Sequence, residues 1–192
     1  ACNESIQHML AYRSLRLEKQ QEPLRNDIYL LGMAHYKAGE YAAAIDRLKE
    51  VKEMADSISE SAYLHLGHSY LRVEDEEKAK LSYAAAMQLN INSKVREEAM
   101  YNYVQITYLQ GSATGESITA FKQFLTEYPN TKYANKIYAL MADMYLTSKN
   151  YQAAYKALSE IQNPDTKMQD TKQYLRYQLG MDAFLQGKLQ DA

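Results

Sequence analysis

One pattern decides the fold of this chain, and its first complete copy is YLLGMAHYKAGEYAAAIDRLKEV (29–51). Related stretches follow as YLHLGHSYLRVEDEEKAKLSYAAAM (63–87), YNYVQITYLQGSATGESITAFKQF (101–124), YALMADMYLTSKNYQAAYKALSEI (138–161) and RYQLGMDAFLQGKLQDA (176–192). Steps of 35, 38, 37 and 38 residues separate the matching positions Gly32, Gly67, Gln105, Ala142 and Gly180. A period in this range indicates stacked copies of one supersecondary unit.

Each copy contains the pattern of two helices joined by a short turn. In the first copy, apolar residues from Ile28 to Tyr36 cover much of a helix, and Gly39 marks its end. Apolar residues then recur at three- and four-residue steps from Tyr41 to Val51. This second spacing predicts a helix with one buried face.

Glycines punctuate the pattern in two ways. Gly32 and Gly67 fall inside first helices, where glycine costs about 1 kcal/mol relative to alanine. We therefore expect the paired second helix to approach closely there, at Ala44 and Ala79. The other role of glycine is in the turns between paired helices, which are predicted at Gly39, Gly111, Gly115 and Gly187.

The composition excludes several classes of protein. With 46% hydrophobic and 24% charged residues, the 192-residue chain can bury a core and is not disordered. A net charge of −2 leaves no electrostatic footprint for nucleic acid, and no apolar run is long enough to span a bilayer. Cys2 is the single cysteine, so no disulfide forms within the chain.

The repeat also carries a motif, aromatic–x2–Leu–Gly–x2–aromatic followed by Ala–x3–aromatic. In the second copy its residues are Tyr63, Leu66, Gly67, Tyr70, Ala79 and Tyr83. This motif resembles the tetratricopeptide repeat (TPR). The resemblance implies an all-α fold, a right-handed α-α superhelix (solenoid) of antiparallel helix pairs. A generic antiparallel helical bundle is the alternative.

We predict one repeat array over residues 1–192. Its segments are 1–24 (the second helix of a truncated repeat), 25–58, 59–94, 95–131 and 132–165 (full repeats), and 166–192 (a truncated repeat). Solenoid ends need polar capping helices, and neither end of this sequence offers one. We therefore expect a fragment of a longer array.

The resemblance further implies that first helices line a concave groove. The residues expected to face it are Tyr29, Met33, Tyr36, Lys37, Leu64, His68, Leu71, Arg72, Asn102, Ile106, Leu109, Asp143 and Leu146, with Ala139, Tyr177, Met181 and Phe184 as further members. TPR domains that hold the C-terminal carboxylate of heat-shock chaperones use a set of Lys, Arg and Asn side chains. Lys37 and Arg72 alone do not rebuild that set, so we expect an apolar or amphipathic protein segment as partner. The alternative is that these residues contact neighbouring helices.

Other polar clusters receive structural interpretations. His65 and His68 are three residues apart, but no third metal ligand is evident, so we expect His68 to line the groove and His65 to be an ordinary surface residue. His35 is expected in the core. The acidic run Glu74–Glu77 is expected in a solvated turn, with its last two residues at a helix start.

The sequence shows no phosphate-binding loop, nucleophile motif or metal-ligand spacing. We therefore predict that the chain is not an enzyme and uses no cofactor or metal. The leading function is a non-catalytic protein–protein interaction scaffold that binds a partner segment in the groove. The alternatives are a structural component that associates with itself or others through its ends, and a regulatory module of a larger bacterial protein.

One junction adds a hint of cellular setting. FLTEYPNTKYANKIYALMADMY (124–145) resembles repeats of bacterial envelope TPR proteins, such as outer-membrane assembly lipoproteins and the Tol–Pal coordinator family. That resemblance implies a bacterial source, and it favours a periplasmic or envelope-associated setting over a cytoplasmic one. Cys2 is interpreted as an internal helix residue, with attachment of a lipoprotein lipid as the alternative.

Overall fold

The computed structural model describes residues 2–19, 21, 24–111 and 114–187, without the side chains of Cys2 and Thr114. These residues form ten α-helices and no β-strand, which confirms the all-α prediction. The helices are α1 (Cys2–Glu18), α2 (Arg25–Ala38), α3 (Tyr41–Lys49), α4 (Ser57–Arg72), α5 (Glu76–Leu89), α6 (Ser93–Leu109), α7 (Thr114–Glu127), α8 (Ala134–Thr147), α9 (Tyr151–Ser159) and α10 (Thr166–Leu185). The lipid-attachment hypothesis concerns the side chain of Cys2, which lies outside the described part of the structure, as do residues 188–192 of the predicted truncated repeat.

The chain divides into two compact units between Gln110 and Gly111. In the first unit, consecutive helices from α1 to α6 pack on one another, and α4 also contacts both α2 and α6. The helices α2, α4 and α6 therefore form one layer, with α3 and α5 packed against it. In the second unit, α8 packs between α7 and α9, and α9 contacts α10.

Left-handed residues end the first helix of a pair at matching places. Gly39, Gly111 and Gly187 have φ angles of +81°, +67° and +74°, which confirms them as turn residues. Glu74 and Lys149, seven residues after Gly67 and Ala142, adopt φ angles of +61° and +57° without glycine's freedom. The prediction for Gly115 is wrong, because α7 begins at Thr114 and includes it in its first turn.

The acidic run behaves as expected from a helix start. The helix α5 begins at Glu76, so Glu76 and Glu77 lie in its first turn, where the helix dipole favours them. The Asp75 carboxylate caps this helix by accepting a hydrogen bond from the backbone N–H of Lys78 at 3.1 Å.

His35 is 8% exposed, with Nδ1 2.6 Å from Oε2 of Glu40, which confirms its place in the core.

The predicted close approach of paired helices is present, although its contacts differ from those expected. A Cβ atom on Gly67 would lie 2.5 Å from the ring of Tyr83 in α5, and one on Gly32 would lie 2.9 Å from the side chain of Leu48 in α3. Leu48 and Tyr83 follow the expected Ala44 and Ala79 by one helical turn. Each glycine therefore accommodates a large side chain of the paired helix.

A second recurrent device joins the starts of α2, α4 and α8 to the loop after the paired second helix. Arg25 of α2 donates from Nε and Nη2 to the carbonyl oxygen of Val51, at 3.0 and 2.6 Å. Asn135 of α8 exchanges two hydrogen bonds with the backbone of Gln162, at 2.9 and 3.0 Å. We call these contacts loop clasps, because each one gives backbone groups of the loop a side-chain hydrogen-bond partner.

The clasp of α4 uses a buried carboxylate. Glu60 is 0% exposed, and its carboxylate accepts from the backbone N–H groups of Ile91, at 2.8 Å, and Asn92, at 3.0 and 3.1 Å. At the same end of α4, the Asp56 carboxylate accepts from Arg25 and from the N–H of Ser59, and these bonds lower the pKa of Asp56 to about 2.

Removing the Glu60 clasp should destabilise the first unit. We expect Glu60→Ala to lower the free energy of unfolding by roughly 2–3 kcal/mol, because two backbone donors lose a charged acceptor. Glu60→Gln keeps one acceptor oxygen and should lose less than half as much. Urea titration followed by circular dichroism measures both, and equal losses in the two variants would contradict the role of the acceptor.

The Gly67 contact gives a second expectation. Gly67→Ala should lower the free energy of unfolding by about 1–3 kcal/mol, because the new methyl group overlaps the Tyr83 ring. Gly115→Ala is the matched control, since a Cβ there meets nothing within 4 Å, and helix propensity should raise stability by up to about 1 kcal/mol. Urea midpoints that fall equally in both variants would exclude the Tyr83 overlap as the cause.

Candidate functional site

Five aromatic and imidazole rings from α2, α3, α4 and α5 meet in the first unit. The Tyr36 ring centroid lies 5.1 Å from that of His65, edge to face, and 6.2 Å from that of His68, stacked. His68 in turn lies 5.6 Å from Tyr83, and Tyr36 lies 5.9 Å from Tyr41. We call Tyr36, Tyr41, His65, His68 and Tyr83 the ring cluster.

Helix geometry and the Gly67 contact bring these rings together. His65 and His68 are three residues apart and therefore neighbours on the surface of α4, with centroids 5.8 Å apart. Tyr83 reaches His68 because its ring lies against the backbone of α4 at Gly67. Tyr36 comes from the last turn of α2, which packs beside α4.

Both imidazoles of the cluster are held neutral near pH 7. Burial lowers the pKa of His68 to about 4, with the nearby His65 and Arg72 adding to the effect. Burial also lowers the pKa of His65, although a hydrogen bond to the Ser61 carbonyl opposes the shift. Nδ1 of His65 lies 2.7 Å from that carbonyl oxygen, so Nδ1 carries the hydrogen and Nε2 is left as an acceptor.

Charged side chains border the ring cluster. Oε1 of Glu98 in α6 lies 3.6 Å from Nε2 of His68, and because His68 is neutral this contact is not an ion pair. The Arg72 guanidinium lies 5.9 Å from the centroid of Tyr41, in cation–π range. Lys37 and Arg72 are exposed, so the cluster has a border of mixed charge.

The tyrosines contribute as neutral phenols. Burial is the main cause that raises the pKa of both Tyr36 and Tyr83. The Tyr83 hydroxyl is buried and has no hydrogen-bond partner among the described residues. Neutral phenols and imidazoles offer surfaces for stacking and groups that donate and accept hydrogen bonds.

The predicted groove residues of the first unit fall into three groups. Half-buried residues are Tyr29, Met33, Tyr36, His68, Leu71 and Asn102, and exposed residues are Lys37, Arg72 and Leu109. Leu64 and Ile106 are only 5% and 3% exposed and belong to the hydrophobic core. Their side chains therefore contact neighbouring helices and are closed to a ligand.

The remaining predicted groove residues lie in the second unit. On α8, Asp143 is exposed, and Ala139 and Leu146 are half-buried. On α10, Tyr177, Met181 and Phe184 are 63%, 40% and 58% exposed. The ring cluster has no counterpart among these residues, because it depends on two histidines of α4.

The sequence prediction for His65 is wrong. This residue is a half-buried member of the ring cluster, because Tyr36 of the neighbouring helix covers it. Tyr41, Tyr83 and Glu98 were not predicted as site residues at all. For Tyr83 a signal existed, since a glycine inside α4 requires a neighbour that fills the space; Glu98 left no comparable signal.

Metal sites and membrane spans are both absent from the described part of the chain. It contains no group of three or more His, Cys, Asp or Glu side chains arranged to hold a metal ion. None of its helices combines the length and the apolar character needed to cross a membrane.

Comparison with known proteins leaves the family open: the sequence matches no protein-family model and no curated protein. The ring cluster and the helix layer that carries it are therefore the basis for a functional assignment.

Because the pKa of His68 is low in the folded state, the free energy of unfolding should depend on pH. Between pH 6.5 and about 4 the unfolded state binds a proton at His68 that the folded state does not, so stability falls as the pH drops through this window. Proton NMR should show the His68 ring titrating near pH 4, and His68→Gln should reduce the loss of stability over the same range. A midpoint for His68 near 6.5 would contradict its burial.

Proposed function

We propose that this chain is a non-catalytic scaffold that binds a segment of another protein on the layer formed by α2, α4 and α6. In this proposal the helix pairs are TPR-like and follow a right-handed superhelix. The single observation that carries it is the ring cluster with its exposed neighbours Lys37 and Arg72. The packing of α2, α4 and α6 as consecutive first helices supports the TPR-like arrangement.

The proposed mechanism is recognition by side chains that are already in place. Tyr36 and His68 are held by ring contacts and by burial, so little of their rotational freedom remains to be lost on binding. Aromatic side chains in partly desolvated positions are frequent anchors of protein interfaces. The scaffold would lose little conformational entropy on binding, and most of the conformational entropy lost would be that of the partner segment.

The surface chemistry favours an apolar or amphipathic segment. Tyr29, Met33 and Leu71 offer half-buried apolar surface, and Asn102 offers an amide whose Nδ2 already donates to the Glu98 carbonyl oxygen at 2.8 Å. The border of Lys37, Arg72 and Glu98 carries both signs of charge. An amphipathic helix laid across this layer would place its apolar face on the rings and its polar face towards the border.

A second candidate function is assembly through α10. This helix exposes Tyr174, Tyr177, Met181, Phe184 and Leu185 at helical spacing, with exposed fractions from 40% to 76%. Clustered apolar side chains of this size favour association with another surface. In that case the layer of first helices would serve packing alone.

Photo-crosslinking in cells separates the two functions. Probes placed at Tyr36, Leu71 and Leu109 should trap one protein that a control probe at Lys49 does not trap, because Lys49 lies on α3 and outside the layer. Crosslinks between copies of this chain, or the same products from all four positions, would favour assembly and contradict groove binding.

Once a partner segment is identified, single substitutions measure the role of the anchors. Tyr36→Ala and Leu71→Ala should each weaken binding by roughly 1–3 kcal/mol if they are interface hot spots. Isothermal titration calorimetry measures the loss, with Lys49→Ala as the control. Unchanged affinity in both variants, with helicity and unfolding midpoint preserved, would move the binding site away from this layer.

A further inference from the structure

The second unit contains a cleft that none of the sequence predictions anticipated. Its walls are α7 and α9, which each pack on α8 and have no contact with each other in the described part of the chain. Its floor consists of Tyr138, Met141 and Tyr145 of α8, and its volume is about 580 Å³. Asp143, the predicted groove residue, lies on a different face of the same helix.

The first unit has a cleft at the matching place, between α3 and α5 over α4. Its floor consists of Tyr63, Leu66 and Tyr70, which stand at the same repeat positions as Tyr138, Met141 and Tyr145. Its volume is about 190 Å³, a third of that in the second unit. The two clefts therefore share a floor and differ in what fills them.

Lysines fill the cleft of the first unit. Nζ of Lys52 lies 5.9 Å from the ring centroid of Tyr63, and Nζ of Lys49 and of Lys78 lie 5.8 and 5.7 Å from that of Tyr70. These distances are in the range of cation–π contacts. Both tyrosine rings of this floor are thus covered by side chains of the chain itself.

Substitutions between the repeats remove two of these three lysines from the second unit, and Lys122 stands in the place of the third, Lys49. Counting from Ala44 and Ser117, Leu125 takes the place of Lys52; counting from Ala79 and Ala154, Ala153 takes the place of Lys78. Among the described residues, no cation lies over the ring of Tyr138 or Tyr145. The tyrosine floor is consequently open, and Leu125 and Ala153 add apolar surface beside it.

Charge is distributed unevenly along the open cleft. Lys122 of α7 and Lys156 of α9 stand on opposite walls, and neither has a carboxylate partner among the residues described. Lys156 occupies the position of Leu81 in the first unit, so the lysine of this wall has moved from the place of Lys78 to that of Leu81. Glu160 lies beside Tyr138, and the pKa of Tyr138 is raised mainly by burial and secondly by this carboxylate. At Tyr138 and Glu160 the cleft meets a polar cavity bordered by Asn130 and Gln162.

We propose that this cleft binds a small aromatic anion, in which a carboxylate or sulfonate group is attached to an apolar ring system. Its flat apolar body would lie on the half-buried rings of Tyr138 and Tyr145, above the buried Met141, and its anionic group would lie between Lys122 and Lys156. A cleft of this volume is in the usual range for small-molecule sites, which combine an apolar lining with a few placed charges. The site is independent of the surface proposed above for a protein segment.

The probe for this site is 1-anilinonaphthalene-8-sulfonate, titrated into the full chain and followed by its fluorescence. The wild-type protein should bind one equivalent, and the resonance of the Met141 methyl group should shift in a spectrum of methyl-labelled protein. The double variant Leu125→Lys/Ala153→Lys restores the residues of the first unit and should weaken binding of the uncharged analogue N-phenyl-1-naphthylamine at least about tenfold, because lysines would cover both rings.

Two further variants test the charge. Lys122→Gln/Lys156→Gln should weaken the sulfonate about tenfold through loss of two charge-assisted contacts, and should leave binding of uncharged N-phenyl-1-naphthylamine unchanged. Lys49→Gln/Lys52→Gln in the first unit is the matched control, and it should leave the affinity of the second-unit site unchanged. Equal loss of both probes in the Lys122/Lys156 variant would overturn the assignment of an anion.

A variant designed to create a new binding site keeps the test valid if the other variants lose binding only because they unfold. Lys52→Leu/Lys78→Ala/Leu81→Lys gives the first-unit cleft the lining of the second and should create a second equivalent of probe binding. Its unfolding midpoint should remain close to that of the wild type, which separates a new site from loosened packing. No shift at Met141 in the wild type, or undiminished binding of N-phenyl-1-naphthylamine by the folded Leu125→Lys/Ala153→Lys variant, would overturn the proposal.

Discussion

The contact between Gly67 and Tyr83 is the constraint on which most of the first unit depends. Because Gly67 has no Cβ, the Tyr83 ring lies against the backbone of α4 and fixes how closely α5 approaches. The same ring touches His68, whose burial keeps its imidazole neutral. One packing contact thus joins two helices and positions the ring cluster. A glycine that is costly for the helix is retained because the tertiary contact more than offsets that cost.

The loop clasps show how one structural requirement is met by unrelated side chains. Arg25 binds a carbonyl group, Glu60 binds two N–H groups, and Asn135 binds one of each, yet all three stand near the start of a first helix. What recurs is the need to pair the backbone groups of the following loop. A backbone carbonyl of the loop needs a donor side chain, a backbone N–H needs an acceptor, and a loop residue that presents both is matched by an amide. A search for identical residues across the repeats would not reveal this device.

The clefts show the opposite behaviour, with a constant floor and a variable filling. The tyrosines at the matching positions of α4 and α8 are part of the helix packing, and so they persist. The residues that cover them, Lys52 and Lys78 in one unit and Leu125 and Ala153 in the other, contribute to surface chemistry and are free to change. Repeats therefore separate the residues that build the fold from those that can acquire a binding role.

The sequence by itself determined the helices and their turns, because the period of apolar residues and the left-handed freedom of glycine act within one or two turns of chain. It also predicted Tyr36, His68, Leu71 and Arg72 as residues of one surface, and the rings of Tyr36 and His68 do meet. Only the tertiary structure decided that Leu64 and Ile106 are closed to a ligand, that His65 joins the ring cluster, and that Glu98 lies beside His68. These outcomes depend on which helices become neighbours, some 30 residues apart in the chain, and on the volume each side chain leaves for the next. Local periodicity carries no record of either quantity.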